Sequence, residues 1–306
     1  MGSCLGATVL WRVARSGGHF CALHSVLRIP DSAVRRVAVE RGLPLKILFV
    51  GDVVGRPGRS AVQAMIPRLR EEWQVDFVIA NGENAAAGWG LTQRTADELL
   101  SAGVDCLTSG NHIWANREGP ALLDSHPQLL RPANFAPGAP GRGSAVYETA
   151  AGARVGVINL IGRTFMDPAD CPFRRGDEEF RRLSDAADVV IVDFHAEATS
   201  EKQALGYYFD GRVTAVVGTH THVQTADETL LPAGTAFITD VGMTGPMGTV
   251  IGVDRRIVVR RFVSGLPQRF EVPKHGASQL NAVLVEAGLD KTGAKGIQRV
   301  AMPVSI

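Results

Sequence analysis

Short apolar runs bounded by glycine or polar clusters alternate with helically spaced stretches along most of the chain. Lys46 to Val50, Phe77 to Ala80, Cys106 to Ser109, Val189 to Phe194 and the run Val213, Ala215, Val216, Val217 read as buried strands. Val62, Met65, Ile66 and Leu69 recur at helical spacing and predict a helix over about Ser60 to Trp73. Thr92 is placed to cap a second helix through Leu100, which stops at Gly103. A third helix is expected near Asn116 to Asp124. Ser144 to Thr149 and Arg154 to Leu160 read as a hairpin about Gly152, followed by a charged helix over Phe173 to Ala187. Ser200 with Gln203 fits a capping box that opens a helix to about Phe209. Beyond His222, strands are expected at Thr235 to Thr239, Ile257 to Phe262, Arg269 to Val272 and Gln279 to Glu286. Gly242 to Pro246 reads as a tight turn. The alternation predicts an α/β fold with a mainly parallel core. The second half is expected to form a second sheet, with several antiparallel pairs, packed on the first.

Composition narrows the function classes. Of 306 residues, 45% are hydrophobic and 21% charged, and the formal net charge of +1 gives no electrostatic case for a nucleic-acid or membrane partner. No apolar run approaches the roughly 18 residues of a spanning helix. Cys4, Cys21, Cys106 and Cys171 show no paired spacing and read as reduced thiols of a cytoplasmic protein, with Cys106 as a small buried hydrophobe. Residues 1–44 carry Arg12, Arg15, Arg28, Arg35, Arg36 and Arg41 against Asp31 and Glu40. They are expected to be a disordered leader or the product of a misplaced start codon, with one domain over 45–306.

The candidate chemistry lies where strand-like runs end. Asp52, the pair Glu83 and Asn84, the pair Asn111 and His112, His195, and the pair His220 and His222 each follow such a run. In open α/β sheets ligands collect at the carboxyl ends of the strands. His220 and His222, two apart, point the same way if the backbone there is extended. Nitrogen and oxygen donors without thiolate suit Fe, Mn or Zn. Asp52, Glu83, Asn84, Asn111, His195, His220 and His222 are too many ligands for one tetrahedral ion. They suit two ions about 3.5–4 Å apart, with Glu83 as the bridging carboxylate. His112, beside Asn111 on extended backbone, would point away from the metals toward substrate, as general acid or as stabiliser of the transition state. His19, His24, His126 and His275 have no such company and read as surface or structural residues. Gly51, Gly55 and Gly58 fit neither a dinucleotide fingerprint nor a P-loop, and read as backbone that approaches the metals closely.

These blocks, taken in order, resemble the motifs of calcineurin-type metallophosphoesterases. The runs Phe49-Val50-Gly51-Asp52-Val53-Val54-Gly55, Asn81-Gly82-Glu83-Asn84, Asp193-Phe194-His195-Ala196-Glu197-Ala198-Thr199-Ser200-Glu201-Lys202 and Thr219-His220-Thr221-His222-Val223 are most similar to the YmdB-like bacterial branch. The resemblance covers about Lys46 to Val285. Val54 stands where the wider superfamily carries a histidine, and Glu83 where it carries aspartate; both departures match the branch. The resemblance implies a four-layered sandwich of two mixed sheets flanked by helices. It also implies a phosphodiesterase with two metal ions, iron ahead of manganese, and a metal-bridging hydroxide. The implied substrate is a small phosphodiester, with 2′,3′-cyclic nucleotides the named candidates. One ion would take Asp52, Glu83, Asn84 and His222; the other would take Glu83, Asn111, His195 and His220. Two alternatives stand beside this: a metal-binding regulatory protein acting through a partner, and a phosphomonoesterase. Self-association is left open by an exposed edge in the strand-rich second half.

Overall fold

The computed structural model describes residues 44–289 and 293–305, so the expected leader up to residue 43 lies outside the described residues. Among them, two sheets and six α-helices are built. The first sheet is centred on β1 (Leu45–Val50), β3 (Phe77–Asn81) and β4 (Cys106–Thr108), all parallel. Helix α1 (Gly55–Trp73) and helix α2 (Gln93–Ser101) make the crossovers, and α3 (Gly119–Ser125) follows β4. Thr92 caps α2 as expected, its side chain accepting from Thr95 N. On the other side of β1 runs β12 (Ser278–Ala287), antiparallel from Leu45↔Ala287 to Val50↔Ala282. It pairs in turn with β13 (Ala294–Val304). Beyond the end of β1, β12 also pairs with β11 (Met243–Pro246), which is parallel to β2 (Asp52–Val53).

The second sheet runs β5 (Ser144–Glu148), β6 (Arg154–Ile161), β7 (Val189–His195), β8 (Ala215–Thr219), β10 (Ala236–Ile238) and β9 (Thr229–Leu230). Its four central strands are parallel and its two edges antiparallel. Helix α4 (Pro172–Leu183) and helix α5 (Thr199–Phe209) make its crossovers.

Two-residue alternation assigns each strand residue to a layer. In β1, Ile47 and Phe49 face the second sheet while Leu48 and Val50 face α1. In β7, Val189 and Ile191 face the first sheet, whereas Val190, Val192 and Phe194 pack with Leu183 of α4 and Leu205 and Phe209 of α5. Both faces of each central strand are therefore apolar, which is why these runs lack a polar side. The result is the four-layered sandwich, helices outside and two mixed sheets inside, with one core between the sheets. Cys106 is buried in that core.

Several expectations for the second half are corrected. Ile257 to Phe262 is not a strand: α6 (Arg255–Ser264) forms there, N-capped by Asp254, whose side chain accepts from Arg256 N, and closed by Gly265 at φ 68. Arg269 to Val272 has no regular structure, and Met243 to Pro246 is a strand, not a turn. The Gln279 to Glu286 strand joins the first sheet beside β1 instead of the second. The capping box at Ser200 does not form; α5 begins at Thr199 without a side-chain cap, and Glu201 instead accepts from Arg163 N and Thr164 N. Gly51 and Gly58 are crowded by β11 and the residue before it, not by a ligand site: a Cβ there would meet Gly242 O at 1.9 Å and Thr244 O at 2.4 Å.

Candidate metal centre

The carboxyl ends of β1, β3 and β4 and those of β7 and β8 meet at one edge of the sandwich. Asp52 follows β1, Glu83 and Asn84 follow β3, and Asn111 follows β4 in a short 3₁₀ turn over Asn111–Trp114. His195 is the last residue of β7, and His220 and His222 follow β8. The chain brings all seven side chains together. Glu83, His195 and His220 form one cluster and Asp52, Glu83 and His222 another, each with ligand atoms within 4.8 Å of one another. Asn111 Oδ1 lies 3.1 Å from His195 Nε2, and Asn84 Nδ2 lies 3.1 Å from His222 Nε2. Glu83 belongs to both clusters.

Two local expectations differ. His220 and His222 are not on extended backbone; their φ values are 100° and 66°. The chain turns left-handed at both, so the two imidazoles diverge to different clusters. His112 sits in the 3₁₀ turn, not on a strand. Its backbone N–H donates to Glu83 Oε2 at 3.0 Å, and its Nδ1 lies 2.8 Å from Asn84 Oδ1 and 3.3 Å from Glu83 Oε1.

The left-handed turn has a cause that the sequence does not announce. Asp240 Oδ2 accepts from Thr221 N at 3.1 Å and Thr221 Oγ1 at 2.7 Å, between the two histidines. The same oxygen accepts from Lys202 Nζ at 2.6 Å, and both partners of that ion pair are 1% exposed. Lys202 reaches the site from α5. Lys202 closes the run that resembles the family, but no site role follows from the sequence for either residue, because a lone lysine on a helix and a lone aspartate after a strand carry no spacing signal.

Each imidazole has its second nitrogen fixed. His195 Nδ1 lies 2.9 Å from Thr219 Oγ1, which donates to Asp193 Oδ1 at 2.8 Å. His220 Nδ1 faces His195 Nε2 at 3.0 Å, and its Nε2 lies 3.2 Å from Glu197 Oε2. His222 Nδ1 donates to Ile251 O at 2.9 Å. Outer partners of this kind set the tautomer of metal-ligating histidines and aim the other nitrogen at the ion. Thr219 and Asp193 adjoin ligand residues, and only the fold reveals that they act on the ring of His195.

The donor set fits a metal on three further counts. It is nitrogen and oxygen only, which suits hard or borderline cations. Asp52 is fully buried; one oxygen accepts from His220 N at 3.1 Å, but Oδ1 has no hydrogen-bond partner. A buried carboxylate oxygen left alone is costly and calls for a cation. At Gly110, a Cβ would come within 2.2 Å of His195 Nε2 and 2.4 Å of Glu83 Oε2, so only glycine lets this loop pass the cluster. The charges agree. Burial works against the Glu83 anion, yet the His195 and His112 imidazoles outweigh it and hold Glu83 well below the usual carboxylate range. Burial opposes charge on His195 as well, but Glu83, Asp52 and Asp193 push it up to about 9. Burial and the neighbouring His195 push His220 down to about 3.

Residues 48–300 match the family described as YmdB-like protein. The chain is 48% identical over 256 residues to the 2′,3′-cyclic-nucleotide 2′-phosphodiesterase of Bacillus subtilis (strain 168), covering 84% of this chain and 96% of that protein. A crystal structure of a hypothetical protein from Thermus thermophilus superposes with a TM-score of 0.79 at 42% identity, covering 85% of this chain and 99% of that one. A novel phosphatase from Mycoplasma pneumoniae gives a TM-score of 0.79 at 37% identity, covering 85% and 94%.

Two outcomes test this geometry. His195, at about 9 against 6.5 for a free imidazole, holds a proton that a cation must displace at neutral pH. Metal affinity of the stripped protein should therefore weaken about tenfold per unit as pH falls from about 9 toward about 7, and level off above that. An affinity constant across this window would contradict it; competition with a coloured chelator measures it. Asp240→Ala strands Lys202 in the interior and should cost on the order of 3–5 kcal/mol in urea unfolding. A loss below about 1 kcal/mol would show the pair behaving like an exposed one.

Proposed function

The chain belongs to the YmdB-like family, and from that membership we propose that it is a dinuclear metal-dependent phosphodiesterase acting on 2′,3′-cyclic nucleotides. The observation that carries the reading is the sharing of Glu83 between two clusters of ligand atoms. One carboxylate common to two sets of donors is what a pair of ions needs and what a single structural ion does not. Asp52, Asn84 and His222 complete one set with Glu83. Asn111, His195 and His220 complete the other. Nitrogen and oxygen donors alone suit iron and manganese alike; it is the family resemblance that puts iron ahead of manganese in this assignment. The described residues from Leu45 onward act as one domain in this reading, because both sheets share the core that supports the site. Cys106 and Cys171 are free thiols, in keeping with a cytoplasmic protein. Among the described residues no helix is long and apolar enough to cross a membrane.

When bound, the two ions supply Lewis acidity toward water and toward the phosphoryl oxygens. The chain supplies the rest. Thr219 with Asp193, Glu197 and the Ile251 carbonyl hold the three imidazoles in register. The Lys202–Asp240 pair holds the turn that parts His220 from His222. His112 is the catalytic acid in this reading. Its ring is oriented by Nδ1 on Asn84 Oδ1. That leaves Nε2 to carry the proton that passes to the departing sugar oxygen when the P–O bond breaks.

Protein holding two metals per chain is expected to hydrolyse 2′,3′-cyclic AMP and bis-p-nitrophenyl phosphate. His112→Ala should lower kcat by about 10²–10⁴-fold, while metal content by mass spectrometry stays near that of the parent. No turnover by the fully loaded parent would favour a regulatory role instead, and metal loss in the variant would make His112 a ligand-supporting residue.

A further inference from the structure

Trp89 is an aromatic that packing does not explain. Its ring stands 4.4 Å from the ring of His112, tilted by 57°, yet the residue is 49% exposed. One side therefore covers the imidazole and the remainder meets water at the mouth of the site. Single exposed aromatics are common on protein surfaces; what sets this one apart is its place against His112, where its free face is open to a stacking ligand.

The loop that presents Trp89 is stiff. It leaves β3 through Glu83 and Asn84, so it is anchored at the cluster itself. Gly88 N donates to Asn84 O at 3.0 Å, Trp89 N to Ala86 O at 3.1 Å, and Ala86 N to Gly90 O at 3.0 Å. Ala87, Gly88 and Gly90 all have positive φ, at 57°, 96° and 69°. A left-handed alanine is strained, and such strain is concentrated at functional loops. The loop thus fixes one indole beside the proton donor at its own conformational expense.

We infer that Trp89 is the nucleobase platform of the site, stacking the base of a nucleoside cyclic phosphate whose phosphodiester lies over the Glu83 clusters. Every base offers a π-face, so the platform binds purines and pyrimidines alike and recognises a nucleoside without reading its sequence. The inference rests on the nucleotide reading above, and its test separates the two.

The metal-loaded enzyme and its Trp89→Ala and Trp89→Phe variants are assayed on 2′,3′-cyclic AMP and on ethylene phosphate, a five-membered cyclic diester without a base. Trp89→Ala should raise KM for the nucleotide about tenfold or more, with ethylene phosphate kinetics and metal content unchanged. Trp89→Phe should recover most of the loss. Equal damage to both substrates, in kcat, would mean that Trp89 only shields His112, and no effect on either would remove it from the site. Equilibrium binding of adenosine 3′-monophosphate against inorganic phosphate gives a readout free of turnover. The Ala variant should weaken only the nucleotide, and equal binding of the nucleotide by parent and Ala variant would overturn the inference. A parent that hydrolyses ethylene phosphate but ignores cyclic AMP would instead overturn the nucleotide reading.

Discussion

Glu83 is an anion with no exposed surface, and the rest of the site answers the cost of keeping it there. His112 N donates to one of its oxygens and Asn84 Nδ2 to the other, while His195 Nε2 stands 3.3 Å from the second. Asp52, equally buried, has one oxygen with no hydrogen-bond partner. Protein groups alone thus leave Asp52 incompletely compensated. Cations complete the balance, and the strands β1, β3, β4, β7 and β8 that end at this edge each lead into a donor toward them. The two-sheet architecture is what allows it. Parallel strands in both sheets end at the same edge, so donors far apart in sequence meet without any long loop carrying them.

Holding neutral imidazoles beside such anions requires more than proximity. His195 left to itself takes up a proton from water, because the negative charge of its three carboxylate neighbours favours the imidazolium, and so its pKa rises. The ring must instead be turned so that a metal replaces that proton. Thr219 and Asp193 do so from behind, just as Glu197 does for His220. The buried pair Lys202 and Asp240 contributes in a different way, by holding the backbone at Thr221 so that His220 and His222 join different clusters of donors. Its position deep under the turn gives α5 a function beyond that of a crossover helix.

Much of this was legible in the chain. The strands β1, β3, β4, β7 and β8 are apolar runs with abrupt polar ends, and burial on both faces makes such runs stand out. The donors announce themselves at those ends. What failed did so for physical reasons. Helix α6 reads Arg255-Arg256-Ile257-Val258-Val259-Arg260-Arg261-Phe262-Val263, a β-branched stretch with strand propensity, and only Val258 is buried. Its true signals were the Asp254 cap and the Gly265 stop, and these outweigh propensity where packing does not decide. Met243 to Pro246 looked like a turn because of its Gly and Pro; it survives as a strand by pairing with β2 at one end and β12 at the other, with Asn281 of β12 bonded to Met243 and Thr244. β13 has a weak pattern, since much of it stays partly exposed at the sheet edge. The two-apart argument for His220 and His222 placed them at the site for a mistaken reason, because the backbone is left-handed there and side-chain alternation does not apply.

The central claim is that one buried carboxylate serves two ions. Metal content per chain of Glu83→Ala, set beside that of the parent and of His222→Ala, tests it most directly. The account predicts two ions in the parent, about one in His222→Ala, whose partner cluster stays intact, and fewer than one in Glu83→Ala, since both clusters lose their common donor. Two ions retained by a folded Glu83→Ala protein would contradict it.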